Sequence, residues 1–142
     1  MLDNYAQDIA NQLRHCFDNK RKCLVMGNGG SAQQANHFVA ELVHEKLPAI
    51  SLTSDISVIT ATANDFGYET VFANQVIALG QKGDILIGLS SSGTSKNILL
   101  AYDIAIKQGL QTIDFPRIGN NLQEIQENHL KLLHLVWQLL KQ

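Results

Sequence analysis

The chain has 142 residues, 45% of them apolar, a formal net charge of −2 and two cysteines. That length supports one domain with its own core. The composition excludes a disordered chain, the charge gives no reason to expect nucleic acid or an anionic membrane as partner, and Cys16 and Cys23 are too few for a disulfide framework. The first residues lack the basic and apolar regions of a secretory signal. Leu130 to Leu140, interrupted by Lys131, His134 and Gln138, is too short and polar to span a bilayer, so a cytoplasmic protein is expected.

Leu2, Tyr5, Ile9, Leu13 and Cys16 recur at three- and four-residue steps, which predicts a helix over 2–17 with one apolar face. The run Cys23-Leu24-Val25-Met26 feeds glycines and reads as a buried parallel strand, followed by the turn Gly27-Asn28-Gly29-Gly30-Ser31 and a helix over 32–44. Ala49 to Leu52 reads as a second strand, Ser54-Asp55 as a helix cap, and Val58 to Ala63 as a short helix broken by Asn64-Asp65-Phe66-Gly67. A helix is expected over 69–79, a strand over 85–89, a serine-rich loop over 90–95, a helix over 96–108 closed by Gly109, and a strand over 110–113. A long helix from Leu122 to the end carries more apolar residues than one core-facing stripe needs, which points to burial against a second subunit. Strands alternating with helices imply an α/β three-layer sandwich around a central parallel sheet, flavodoxin-like, with long terminal helices.

Two loops follow strands and open helices. Gly27, Gly29 and Gly30 let a ligand approach the backbone, and Ser31 can cap the helix or donate to a bound oxygen. Ser90-Ser91-Ser92-Gly93-Thr94-Ser95 offers hydroxyls and N–H groups to an anion at a helix N-terminus. Each loop read singly also fits a turn with a cap, but the second has more hydroxyls than one cap uses. Neither nucleotide-binding glycine pattern is present.

Met26 to Ala32 followed by His37-Phe38-Val39-Ala40-Glu41-Leu42, then Ala63 to Tyr68, Gly83 to Asn97, and Ile125 to His129 with His134, resemble in order the motifs of the phosphoheptose isomerases of the sugar-isomerase (SIS) fold. The resemblance implies a single SIS domain over 1–142, an aldose–ketose isomerase acting on sedoheptulose 7-phosphate for heptose and lipopolysaccharide precursor synthesis, and a homotetramer whose active sites lie between subunits. It implies Glu41 as the base for the carbon-bound proton and His134 as the group moving protons on the oxygen side or the opposite face. Substrate contacts are implied for Asn28, Gly29, Gly30, Ser31, Glu41, Asn64, Asp65, Ser90, Ser91, Ser92, Ser95 and Gln126. Asn64-Asp65 has the alternative of a helix-ending turn, and Ser91 that of pointing away.

His37 and Glu41 stand at i and i+4 on one helix face, a spacing that holds a divalent metal or a plain hydrogen-bonded pair. The resemblance implies one zinc per subunit on His37, Glu41, Gln126 and His134. Gln126 and His134 are eight residues apart, roughly 12 Å along a straight helix, so joining both to one ion takes long side chains, a distorted helix or two chains. His129, one turn from Gln126, is a rival ligand.

The chain departs from the family where Leu42-Val43-His44-Glu45-Lys46 runs straight into Leu47, without the family's Leu-x-Gly-Arg, and where Asp114-Phe115-Pro116 follows Ile113 at once. Glu124 stands where the family has arginine before Ile-Gln-Glu. We expect the sequence as given to omit flexible segments near 46/47 and 113/114, at the cost of one sheet element. The alternatives are an isomerase of a hexose phosphate and a non-catalytic phosphosugar-binding adaptor of the replication-initiation type. Those adaptors lack counterparts of Glu41 and His134, which favours the enzyme.

Overall fold

The computed structural model describes residues 1–141. Its elements in chain order are α1 (Leu2–Asp18), β1 (Cys23–Gly27), α2 (Gly30–His44), β2 (Ala49–Ser51), α3 (Ile56–Phe66), a single 3₁₀ turn (Tyr68–Thr70), α4 (Ala73–Leu79), β3 (Ile85–Leu89), α5 (Lys96–Gln108), β4 (Gln111–Asp114) and α6 (Leu122–Leu140). The four strands form one parallel sheet in the order β2-β1-β3-β4.

β1 and β3 occupy the centre and are buried along their whole length, as their unbroken apolar runs require. Alternate side chains face opposite layers. Cys23, Val25, Ile85, Ile87 and Leu89 pack with α1, α2 and α6; Leu24, Met26 and Leu86 pack with α4 and α5. α1 lies along α6, and Arg14 Nη2 donates to the Leu139 carbonyl at 2.7 Å, satisfying an acceptor in the last turn of α6. The three-layer parallel architecture expected from the alternating elements is the one observed.

Three local expectations are corrected. α2 begins at Gly30, two residues early, because Gly29 takes φ 57 and serves as its N-cap. Asn64 and Asp65 do not break α3 but form its last turn; Gly67, at φ 99, ends it. The helix expected over 69–79 divides into the 3₁₀ turn and α4. Asp55 does cap α3, accepting from Ser57 N and Val58 N, and Gly109 closes α5 in the left-handed conformation.

From β1 the chain crosses to β2 on one side and later returns to β3 on the other, so the topological switch point lies between β1 and β3. In an open parallel sheet the ligand crevice opens there, beyond the carboxyl ends of the strands. Gly27 pairs with Leu89 at that end, which sets the glycine loop beside the serine loop. A Cβ on Gly27 would lie 2.7 Å from the Ser31 carbonyl oxygen and 3.0 Å from that of Leu89, so only glycine fits.

Candidate active site

Two groups of polar side chains stand out, one at the crevice and one along α2 and α6. At the crevice, α2 and α5 begin without a side-chain cap, whereas α3 and α6 are capped by Asp55 and Asn121. Uncapped N-termini leave backbone N–H groups for an anion. In the serine loop, buried Ser90 accepts from Gly93 N at 3.0 Å through Oγ, and Ser92 Oγ accepts from Thr94 N at 3.2 Å and lies 3.4 Å from Ser95 Oγ. Ser90 and Ser92 thus shape the loop. Gly93, at φ 74, is covered by the Arg117 guanidinium. Arg117 donates to the Ser90 carbonyl at 3.3 Å and to Asp114 Oδ2 at 2.7 Å, and the Asp114 bond raises its pKa further.

In the glycine loop the Asn28 side chain is engaged by Asn97 and Tyr68. Gln126 comes from α6 to the opening of α2: a Cβ on Gly30 would lie 3.4 Å from its Nε2, and Gln34 Nε2 donates to its backbone carbonyl at 3.0 Å. Asn64 and Asp65 are exposed at the end of α3 and bonded to each other at 3.1 Å. Gly29 and Gly30 are exposed at the loop, and Ser31 is buried beneath it.

The second group joins α2 to α6. His37 Nε2 lies 2.5 Å and His134 Nδ1 3.0 Å from the same oxygen, Oε1 of Glu41, and the two rings meet edge to face at 5.3 Å. Oε2 of Glu41 is buried with no hydrogen-bond partner. Such an atom is costly unless something else binds it. One ligand atom from each of the three residues can be chosen so that all lie within 4.8 Å of one another. A tetrahedral ion at ~2.1 Å holds its ligand atoms roughly 3.4 Å apart. The donor set and the unpartnered Oε2 therefore fit a divalent metal.

Gln126 and the trio meet different turns of α2. Gly30, against which Gln126 lies, is seven residues from His37 on α2, roughly 10 Å of rise. His129 is not a rival ligand. It is fully buried against Phe115, and its Nε2 pairs with the Pro116 carbonyl at 2.9 Å. A carbonyl only accepts, so Nε2 carries the proton. Neither cysteine is a nucleophile: burial raises the Cys16 thiol to about 11 and pushes Cys23 higher still.

A family model described as "SIS domain" matches residues 4–115. A phosphoheptose isomerase of Geotalea daltonii is 40% identical over 155 positions, covering 94% of this chain and 81% of its own, and one of Helicobacter pylori is 42% identical over 95% and 82%. The chain belongs to the phosphoheptose isomerase family of SIS-domain proteins. Solved phosphoheptose isomerase structures from Neisseria gonorrhoeae and Francisella tularensis superpose with TM-scores of 0.90 and 0.91 at 34% identity. They cover 94% and 95% of this chain, and this chain covers 83% of each.

Sequence reasoning gave no role to Tyr68, Asn97 or Arg117. Tyr68 and Asn97 lie inside stretches that carry the family resemblance, but their partner is 40 and 69 residues away, beyond any local pattern. Arg117 lies between β4 and α6, where no periodicity marks a position.

Proposed function

We propose that the chain interconverts sedoheptulose 7-phosphate and D-glycero-D-manno-heptose 7-phosphate through an enediol, with Glu41 and His134 as its proton-transfer groups. The observation that carries this reading is the partly buried Glu41 carboxylate, with one oxygen shared by two histidines and the other unspent. In the ketose-to-aldose direction, a base removes a proton from C1 and returns it to C2, while a hydroxyl proton leaves O1 and another reaches O2. The Glu41 carboxylate is the group suited to the carbon-bound proton. His134 is suited to the oxygen side.

His37, Glu41 and His134 would hold a zinc ion, which when bound supplies charge to polarise the sugar oxygens. Gln126 is the fourth ligand in this reading, and its place at Gly30 calls for a second chain to complete the set. The same logic applies to substrate. Eleven residues separate Gly30 from Glu41 on α2, roughly 16 Å of rise, so the anion-binding loops of one subunit are best matched to a trio from another. The loop residues Asn28, Gly29, Gly30, Ser31, Ser90, Ser91, Ser92 and Ser95, with Asn64, Asp65 and Gln126, would receive the phosphosugar. A homotetramer fits the exposed Leu122 and Leu130 of α6. No helix among the described residues is long and apolar enough to cross a membrane. A cytoplasmic site and a role in lipopolysaccharide precursor synthesis complete the proposal. The Geotalea alignment spans 155 positions while using 94% of this chain, which supports shortened or omitted segments, with 46/47 and 113/114 as their proposed places.

The test is turnover of sedoheptulose 7-phosphate by wild type, Glu41→Gln and His134→Ala, each stripped of metal and reloaded with zinc. Turnover in wild type and its loss in both variants is expected, and zinc restores only the wild type. A folded wild type that binds the sugar phosphate without converting it would overturn the catalytic roles.

A further inference from the structure

We infer that Tyr68 and Asn97 are positioning residues that lock Asn28 of the glycine loop in its substrate-binding orientation; this rests on the proposed contact between Asn28 and substrate. Asn28 and Asn97 form a closed amide pair, each Nδ2 donating to the other's Oδ1 at 2.9 Å. The Tyr68 hydroxyl donates to Asn28 Oδ1 at the same distance. A carbonyl oxygen has two lone pairs, so Asn28 Oδ1 is saturated, and only one N–H of its amide is left unspent. The side chain can neither rotate nor flip alone without breaking all three bonds.

Each partner is held independently. Asn97 is 3% exposed in the first turn of α5, where an unpaired amide is costly, and its bond to Asn28 ties the serine-loop helix to the glycine loop. Tyr68 is more than half exposed, so core packing does not dictate its position. It is placed by Gly67, whose φ 99 and ψ 148 only glycine adopts readily. Tyr68, Asn28 and Asn97 line one cleft of about 360 Å³ together with Ser95 and Lys96. The hydroxyl therefore ties the segment after α3 to the glycine loop, and through Asn28 to Asn97 at the start of α5.

A fixed Asn28 lowers the ordering cost of binding, so its partners act on affinity more than on chemistry. Steady-state kinetics with sedoheptulose 7-phosphate would be measured for wild type, Tyr68→Phe, Asn28→Ala and the double variant, alongside thermal melting. Tyr68→Phe keeps the ring and removes only the donor. It is expected to raise KM about fivefold, the size of one neutral hydrogen bond, with a smaller change in kcat and the melting temperature held. In the Asn28→Ala background the same substitution should change KM by less than twofold, because its target is gone. An unchanged KM for Tyr68→Phe beside a raised KM for Asn28→Ala overturns the positioning role and leaves the loop's role intact. So does an equal rise in both backgrounds. If Asn28→Ala also leaves KM unchanged, the substrate contact at Asn28 fails and the inference fails with it.

Discussion

Two carboxylates lie on opposite sides of functional necessity in this protein. Asp84, before β3, is fully buried, and its oxygens accept from Lys22 N at 3.0 Å, Lys22 Nζ at 2.7 Å and Gln81 N at 2.8 Å. Glu41, on α2, has a side chain 12% exposed, with both histidines on one oxygen and nothing on the other. A saturated carboxylate joins elements and has no capacity left for chemistry. An unsaturated one raises the energy of the empty protein and lowers it when an ion or a proton arrives. The difference separates a saturated acid from one with binding capacity left, without reference to burial, since both are mostly enclosed.

The largest effect expected from this contrast is on turnover at Glu41. Glu41→Gln keeps the shape and removes the proposed base, and kcat should fall by about 10²-fold or more. The melting temperature should stay within a few degrees, because the amide keeps the side chain's volume and an oxygen for the two histidines. A variant that lost its fold along with its activity would make Glu41 a structural residue like Asp84 and break the comparison.

Asp84→Ala should show the reverse pattern. Removing one partner of a buried, hydrogen-bonded ion pair costs about 3 kcal/mol, read from urea unfolding. It also leaves two backbone donors without an acceptor. Lys22→Met is a milder probe. The Lys22 side chain is 21% exposed against a fully buried carboxylate, but both backbone N–H bonds to Asp84 survive, so a loss smaller than that of Asp84→Ala is expected. Equal losses in the two variants would place the energy in the charge pair alone rather than in the full set of donors.

The contrast was only half legible in the sequence. Short apolar runs ahead of the loops marked β1 and β3, because a strand buried on both faces has no polar alternation to disguise it, whereas β2 and β4 at the sheet edges are only partly buried. The His37–Glu41 spacing marked one helix face, and the family motifs added His134. Asp84 carried no signal, since its partner lies 62 residues away and sheet register alone brings them together. The same holds for the ties from Tyr68 and Asn97 to Asn28. His129 misled because one-turn spacing from Gln126 says which residues share a helix face, not that the face turns into the core beside Phe115. Gly67 was recognised as a breaker, but its effect fell three residues later than expected, since Asn64 and Asp65 tolerate a final helical turn.

His129 resembles Glu41 in having one atom engaged and one orphaned: Nε2 donates to Pro116, and Nδ1 is buried without a partner. Its surroundings offer an apolar ring instead of two imidazoles, and the consequence is opposite. Burial lowers its pKa below the ordinary histidine value of 6.5, outweighing the Pro116 bond that raises it. The unfolded chain then takes up a proton near pH 6.5 that the folded chain refuses. The resulting stability is fully present above that pH and is lost as pH falls through the lower folded value. Melting temperatures between pH 7.5 and 5 should fall more steeply for wild type than for His129→Phe. Parallel slopes would mean that Nδ1 acquires a proton and a partner in the folded state, and that an orphaned atom in this core is no guide to where the protein withholds or accepts charge.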